Sequence, residues 1–190
     1  MPGASKKPPV TGALRNAIRA VADALAALPA RGMVIGGIAA IARGVPRATR
    51  DVDLTVEGGK LELSALIEHL APHELTPRIK DAIKFATENQ VLLLRHAPTG
   101  VDVDLSIAWL PFELHALARA DSIEVGGITV RVATAEDLVI YKAIAFRPQD
   151  QQDSERAMTL HDSVIARSLA RARSSGNLPL RSTSLSASLH

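Results

Sequence analysis

The sequence predicts an α/β (α+β) domain: a small mixed sheet with helices packed on it, followed by a helical C-terminal segment. Three observations carry this. Segments with apolar residues every third or fourth position are interleaved with short runs of period two. Two glycine-containing breaks, Pro98-Thr99-Gly100 and Gly126-Gly127, join pairs of such short runs as hairpins. Nearly half the chain (47%) is apolar yet only 3% is aromatic, so the core is built from Ala, Leu, Ile and Val.

The elements follow in order. Residues 1–10, with prolines and two lysines, read as a disordered lead-in. Leu14, Ile18, Val21, Leu25 and Leu28 share one helical face, giving a helix from Thr11 to Leu28 that Pro29 and Gly32 stop. A strand at Met33 to Ile35 breaks at Gly36-Gly37, and Ile38 to Arg43 forms a short helix. Gly44 and Pro46 turn the chain into a strand from Asp51 to Val56. Leu61 to Leu70 and Arg78 to Thr87 read as helices, and Val91 to Arg95 and Gly100 to Ile107 as paired strands. Pro111 to Arg119 is a helix, and Ile123 to Val125 pairs with Ile128 to Val130. Thr134 N-caps a helix lasting to about Phe146, with Asp137 completing a near capping box. A last helix is expected from Asp150 to Arg171. The division is then a lead-in (1–10), a core (11–133), a C-terminal helical segment (134–172) and a disordered tail (173–190), with the helices on one side of the sheet.

Composition excludes several classes. With 0 cysteines there is neither a disulfide framework nor a thiolate metal site. The apolar runs fall short of the roughly 18–20 residues that span a bilayer, and Lys6-Lys7 is followed by no apolar stretch of a secretory signal. A cytoplasmic protein is expected. The net charge of +2 says little about partners. A basic end with Arg167, Arg171, Arg173 and Arg181 could meet phosphate, or could be a solvated tail. The 6 histidines show no ligand spacing, and neither a Ser/His/Asp triad nor a P-loop is present.

The stretch that carries chemistry is Gly36 to Leu54. Two glycines between a strand and a helix let backbone amides approach a phosphate. Asp51 and Asp53 leave the same face of a strand, with Cα atoms about 6.5–7 Å apart, and two such carboxylates repel unless a cation lies between them. All-oxygen donors favour Mg²⁺ or Mn²⁺. Val101 to Leu105 repeats the alternation, and Asp102 and Asp104 share a face. Either could converge on Asp51 and Asp53 if the two strands lie side by side; an acidic solvent face is the alternative.

Gly-Gly-x(13)-Asp-Val-Asp-Leu, in its fuller form Arg47-Ala-Thr49-Arg-Asp51-Val-Asp53-Leu, resembles the signature of the DNA-polymerase-β-like minimal nucleotidyltransferase superfamily, in its AbiEii-type toxin branch. A second block, Thr134-Ala-Glu136-Asp137-Leu138 with Lys142 and then Arg147-Pro-Gln-Asp150-Gln-Gln-Asp153, is similar to a helix of those proteins. The resemblance covers roughly residues 12–160 and implies a nucleotidyltransferase fold. It implies a metal-dependent enzyme that moves a nucleoside monophosphate from a nucleoside triphosphate to a hydroxyl of RNA (tRNA included) or protein, as the toxin of a toxin–antitoxin or phage-defence system with an antitoxin partner. Gly36, Gly37, Lys142, Thr49 and Arg47 would then bind nucleotide. Asp51, Asp53 and Asp104 would hold Mg²⁺ or Mn²⁺, with Asp104 also helping to activate the acceptor. Asp150 and Asp153 would cap the last helix. The last 20–30 residues depart from the family by lacking an apolar helix pattern. The competing expectations are a non-catalytic nucleotide-binding or interaction module of the same fold and, less favoured, an antibiotic nucleotidyltransferase.

Overall fold

A computed structural model describes residues 10–59 and 62–145. The helix expected over Asp150–Arg171, the residues Arg147, Asp150 and Asp153, the basic arginines and the tail lie outside the described residues, as does the lead-in up to residue 9.

Thr11 accepts a hydrogen bond from the Leu14 amide at 3.3 Å and opens α1 (Gly12–Ala27), which buries Leu14, Ile18 and Val21 on one face. The order continues β1 (Gly32–Val34), α2 (Gly36–Ala42), β2 (Val52–Glu57), α3 (Leu63–Leu70), β3 (Leu75–Pro77), α4 (Ala82–Asn89), β4 (Val91–His96), β5 (Val101–Ala108), α5 (Pro111–Arg119), β6 (Asp121–Val125), β7 (Ile128–Val132) and α6 (Ala135–Ala145). The strands form one seven-stranded sheet in the order β3-β4-β5-β2-β1-β7-β6. It is mixed: β2 runs parallel to β5 and β1 to β7, and the other neighbours are antiparallel.

Helices cover both faces rather than one. Alternation along β2 sends Val52, Leu54 and Val56 one way and Asp53 and Thr55 the other. Gly32 stands opposite Val56 and lies under the α1 side chain Leu25, so α1 covers the first face. His69 on α3 reaches the Ala24 carbonyl of α1 at 3.1 Å, placing α3 beside it. On the second face the Tyr141 hydroxyl of α6 is buried beside Thr55 and Glu113 without a hydrogen bond of good geometry. Its ring meets Phe112 of α5 edge-on at 5.0 Å. A one-sided arrangement would have left Thr55, which is 0% exposed, in solvent.

Two further differences bear on the site. The helix expected from Arg78 begins only at Ala82, because Leu75–Pro77 pairs with Leu94–His96 as an edge strand and Arg78 continues that pairing by donating its amide to the Leu93 carbonyl at 3.0 Å. The mixed sheet carries one strand, β3, beyond the six read from the sequence. Elsewhere expectation and structure agree to within a residue or two. The Thr134 hydroxyl accepts from the Asp137 amide at 3.2 Å, as an N-cap should, while the Asp137 carboxylate accepts from that hydroxyl at 2.9 Å rather than from the Thr134 amide of a full capping box. Among the described residues no helix is long and apolar enough to cross a membrane.

Candidate active site

The site is set by the parallel register of β2 and β5. Val52 pairs with Val103, Asp53 with Asp104 and Leu54 with Leu105. The valines and leucines are fully or almost fully buried, which holds both strands flat on the core and turns the aspartates to the second face. Adjacent strands lie about 4.8 Å apart, so the Asp53 and Asp104 side chains start as close neighbours. Asp51 lies one residue before β2 and is held by the Thr49 hydroxyl, which donates to its Oδ1 at 2.7 Å.

The two glycines are required by what packs on them. Gly36 has φ +59, and a Cβ there would land on the Asp53 carboxylate. A Cβ on Gly37 would meet the Thr49 side chain. The Gly37 amide instead donates to Asp53 Oδ2 at 3.4 Å, so the start of α2 faces the carboxylates. Burial, then the charge of Asp51, push the Asp53 carboxyl up to about 6, against the Gly37 hydrogen bond and the positive charge of Arg47.

Asp104 and Asp102 are treated differently. Arg78 donates from Nη2 to Asp104 Oδ1 at 2.6 Å and from Nη1 to Asp102 Oδ2 at 3.3 Å. Arg95, directly across the β4–β5 pair from Asp102, donates to its Oδ1 at 2.8 Å. The Arg95 hydrogen bond, with Arg78 assisting, holds the Asp102 carboxyl below its usual range. Burial raises that of Asp104, with Asp51 and Asp102 adding to the rise in spite of Arg78. Arg50, Asp51, Arg78, Gly100, Asp102 and Asp104 line an open cavity of about 360 Å³. Lys142 is carried by α6, whose Tyr141 rests on Thr55, so the helix covers the face that presents Asp53.

The donor chemistry suits a hard divalent cation: carboxylate oxygens from adjacent strands on one face, with one acid strained by its neighbour's charge. They are not drawn around one point. Among the described residues no three carboxylates or imidazoles stand close enough to share an ion, and Asp104 is engaged by Arg78 instead. Arg78, Arg50 and Arg95 were missed in the sequence. Arg95 was within reach, because the short turn after His96 sets it opposite Asp102. Arg78 was hidden by reading its segment as helix.

A crystal structure of a candidate nucleotidyltransferase from Thermotoga maritima shares the fold, with a TM-score of 0.51 at 15% identity over 83% of this chain and 96% of that one. No curated protein matches the sequence. The family model for the nucleotidyl transferase AbiEii toxin of type IV toxin–antitoxin systems matches residues 19–165, and the chain belongs to that family.

Proposed function

We propose that this protein is a metal-dependent toxin that transfers a nucleoside monophosphate from a nucleoside triphosphate to a hydroxyl of an RNA, such as a tRNA, or of a protein. The observation that carries the reading is the register of Asp53 beside Asp104, with Asp51 on the same face and the Gly36-Gly37 turn against them. Asp51 and Asp53, with Asp104 beside them, would hold Mg²⁺ or Mn²⁺, which offsets negative charge on the transferring phosphate.

The protein's own groups have separate tasks. Gly36 and Gly37, whose lack of a Cβ brings the start of α2 against Asp53 and Thr49, would bind the triphosphate there. Lys142 and Arg47 supply positive charge to it, and Thr49 keeps Asp51 in place. Asp104 orients the acceptor hydroxyl and takes its proton as the oxygen attacks the α-phosphorus. The bond between the α- and β-phosphates breaks and pyrophosphate leaves. Arg50 and Arg78 in the cavity beside Asp104 support the reading of an acceptor that carries phosphate, such as an RNA. The protein would act in the cytoplasm, restrained by an antitoxin partner.

The test is transfer from each α-³²P-labelled nucleoside triphosphate, with Mg²⁺ or Mn²⁺, into total RNA and protein extract. Wild type should label one class of macromolecule and release pyrophosphate, and Asp51→Ala/Asp53→Ala protein should label nothing. Nucleotide binding without transfer would point to a non-catalytic module of the same fold. Turnover only with aminoglycosides would point to an antibiotic-modifying enzyme.

A further inference from the structure

Arg78 stands where a second cation would compete with it. It leaves the end of β3, is fixed by its backbone bond to Leu93, and spans Asp102 and Asp104 with one guanidinium. The contact with Asp104 is short, at 2.6 Å, whereas that with Asp102 is long, at 3.3 Å, and Asp102 already has Arg95. Asp102 therefore keeps a partner if Arg78 moves, and Asp104 does not. The Arg78 Nε is buried with no hydrogen-bond partner, which makes its present seat less than fully satisfied. Its side chain is 21% exposed and borders the cavity, so the guanidinium has open space to move into.

We propose that Arg78 is an internal counter-cation that holds Asp104 away from Asp51 and Asp53, so that a divalent cation gains its third carboxylate only by displacing Arg78. This rests on the metal-binding reading of the three aspartates given above. It makes Arg78 a positioning residue with two consequences. Without metal, Arg78 offsets the negative charge of Asp104 at a point where Asp51 and Asp53 already repel each other. With metal, the freed guanidinium lies in the cavity beside the reacting groups, where planar paired donors suit a phosphate oxygen. The protein then reaches its complete carboxylate set only when the cation is bound, and the same event frees Arg78 for an anionic substrate.

The probe is Mn²⁺ itself, its free concentration read by electron paramagnetic resonance in titrations of the full-length protein without nucleotide. Removing the competitor in Arg78→Met should tighten Mn²⁺ binding by about three- to tenfold, the scale of a partly exposed ion pair. Arg78→Lys, which keeps the charge but cannot span both carboxylates, should fall between. The gain should vanish in an Asp104→Asn background, because the effect acts through that carboxylate. Unchanged or weaker Mn²⁺ binding in folded Arg78→Met, with wild type binding normally, would overturn the competition and leave the metal reading standing. Tightening that persists with Asp104→Asn would also overturn it, as a general charge effect. Failure of wild type and Arg78→Met alike to bind Mn²⁺ would overturn the metal reading and this inference together.

Discussion

Replacing Asp53 with asparagine should stabilise the protein while destroying its activity. The Asp53 carboxyl is pushed up to about 6 in the fold by burial and by Asp51, from an ordinary value of 3.8. An acid with a raised value binds its proton more tightly when folded. Its contribution to stability is therefore full below 3.8 and is lost as pH rises through about 6. At neutral pH the ionised carboxylate costs the metal-free protein on the order of 1–3 kcal/mol. Asparagine removes that charge and still offers the Gly37 amide an acceptor. Thermal melts in chelator should show the variant the more stable at about pH 7.5, with the gap closing toward about pH 5 as the wild-type acid takes up its proton. Nucleotidyl transfer should fall by roughly 10²–10³-fold or more, as expected for loss of a charge that organises the reacting phosphate. A variant melting below wild type at neutral pH would show that Asp53 is not held in the repulsive setting described.

The second large effect is expected at Gly36. Alanine there faces two separate penalties. A φ of +59 costs an L-residue about 1–2 kcal/mol, and the new methyl would fall on the Asp53 carboxylate. The strain lowers stability, and the collision displaces a carboxylate of the proposed metal site. A shift of about 1 Å at a reacting group is enough for a 10²-fold loss of rate. Gly44→Ala separates the two causes, because Gly44 has φ +94 but open space where its Cβ would go. Both variants should lose stability by about 1–3 kcal/mol, measured by denaturant unfolding. Only Gly36→Ala should also lose transfer beyond the unfolded fraction. Equal activity in the two variants would mean that the Gly36 contact with Asp53 does not matter to the chemistry.

Much of this site could be read in the sequence because its placement obeys short-range rules. Asp51 and Asp53 share a face by strand alternation, and Thr134 and Asp137 cap a helix by spacing alone. The pairing of β2 with β5 is different in kind. Fifty residues separate Asp53 from Asp104, and only the assembled sheet sets them in register. Periodicity places both Asp102 and Asp104 on one face and cannot choose between them. The choice is a matter of register and of which carboxylate Arg95 claims. Arg78 was lost for a local reason. A three-residue strand ending in proline, Leu75-Thr76-Pro77, has too little pattern to stand out, so the residues after it, Arg78 to Asp81, were absorbed into a longer helix. The helix layer on the second face was missed because Thr55 and Glu113 are polar residues that are buried there. A hydropathy pattern assigns such residues to solvent.

The most direct measurement compares label transfer from a nucleoside triphosphate by Asp104→Asn and Asp102→Asn proteins, side by side and at saturating Mg²⁺. The two aspartates lie on one strand, one face and two residues apart, so they differ mainly in their neighbours: Asp53 beside one, Arg95 opposite the other. The account predicts a loss of about 10²-fold or more for Asp104→Asn and only a few-fold change, at most about fivefold, for Asp102→Asn. The reverse order, or equal modest losses in both, would contradict the claim that Asp51, Asp53 and Asp104 form the catalytic face.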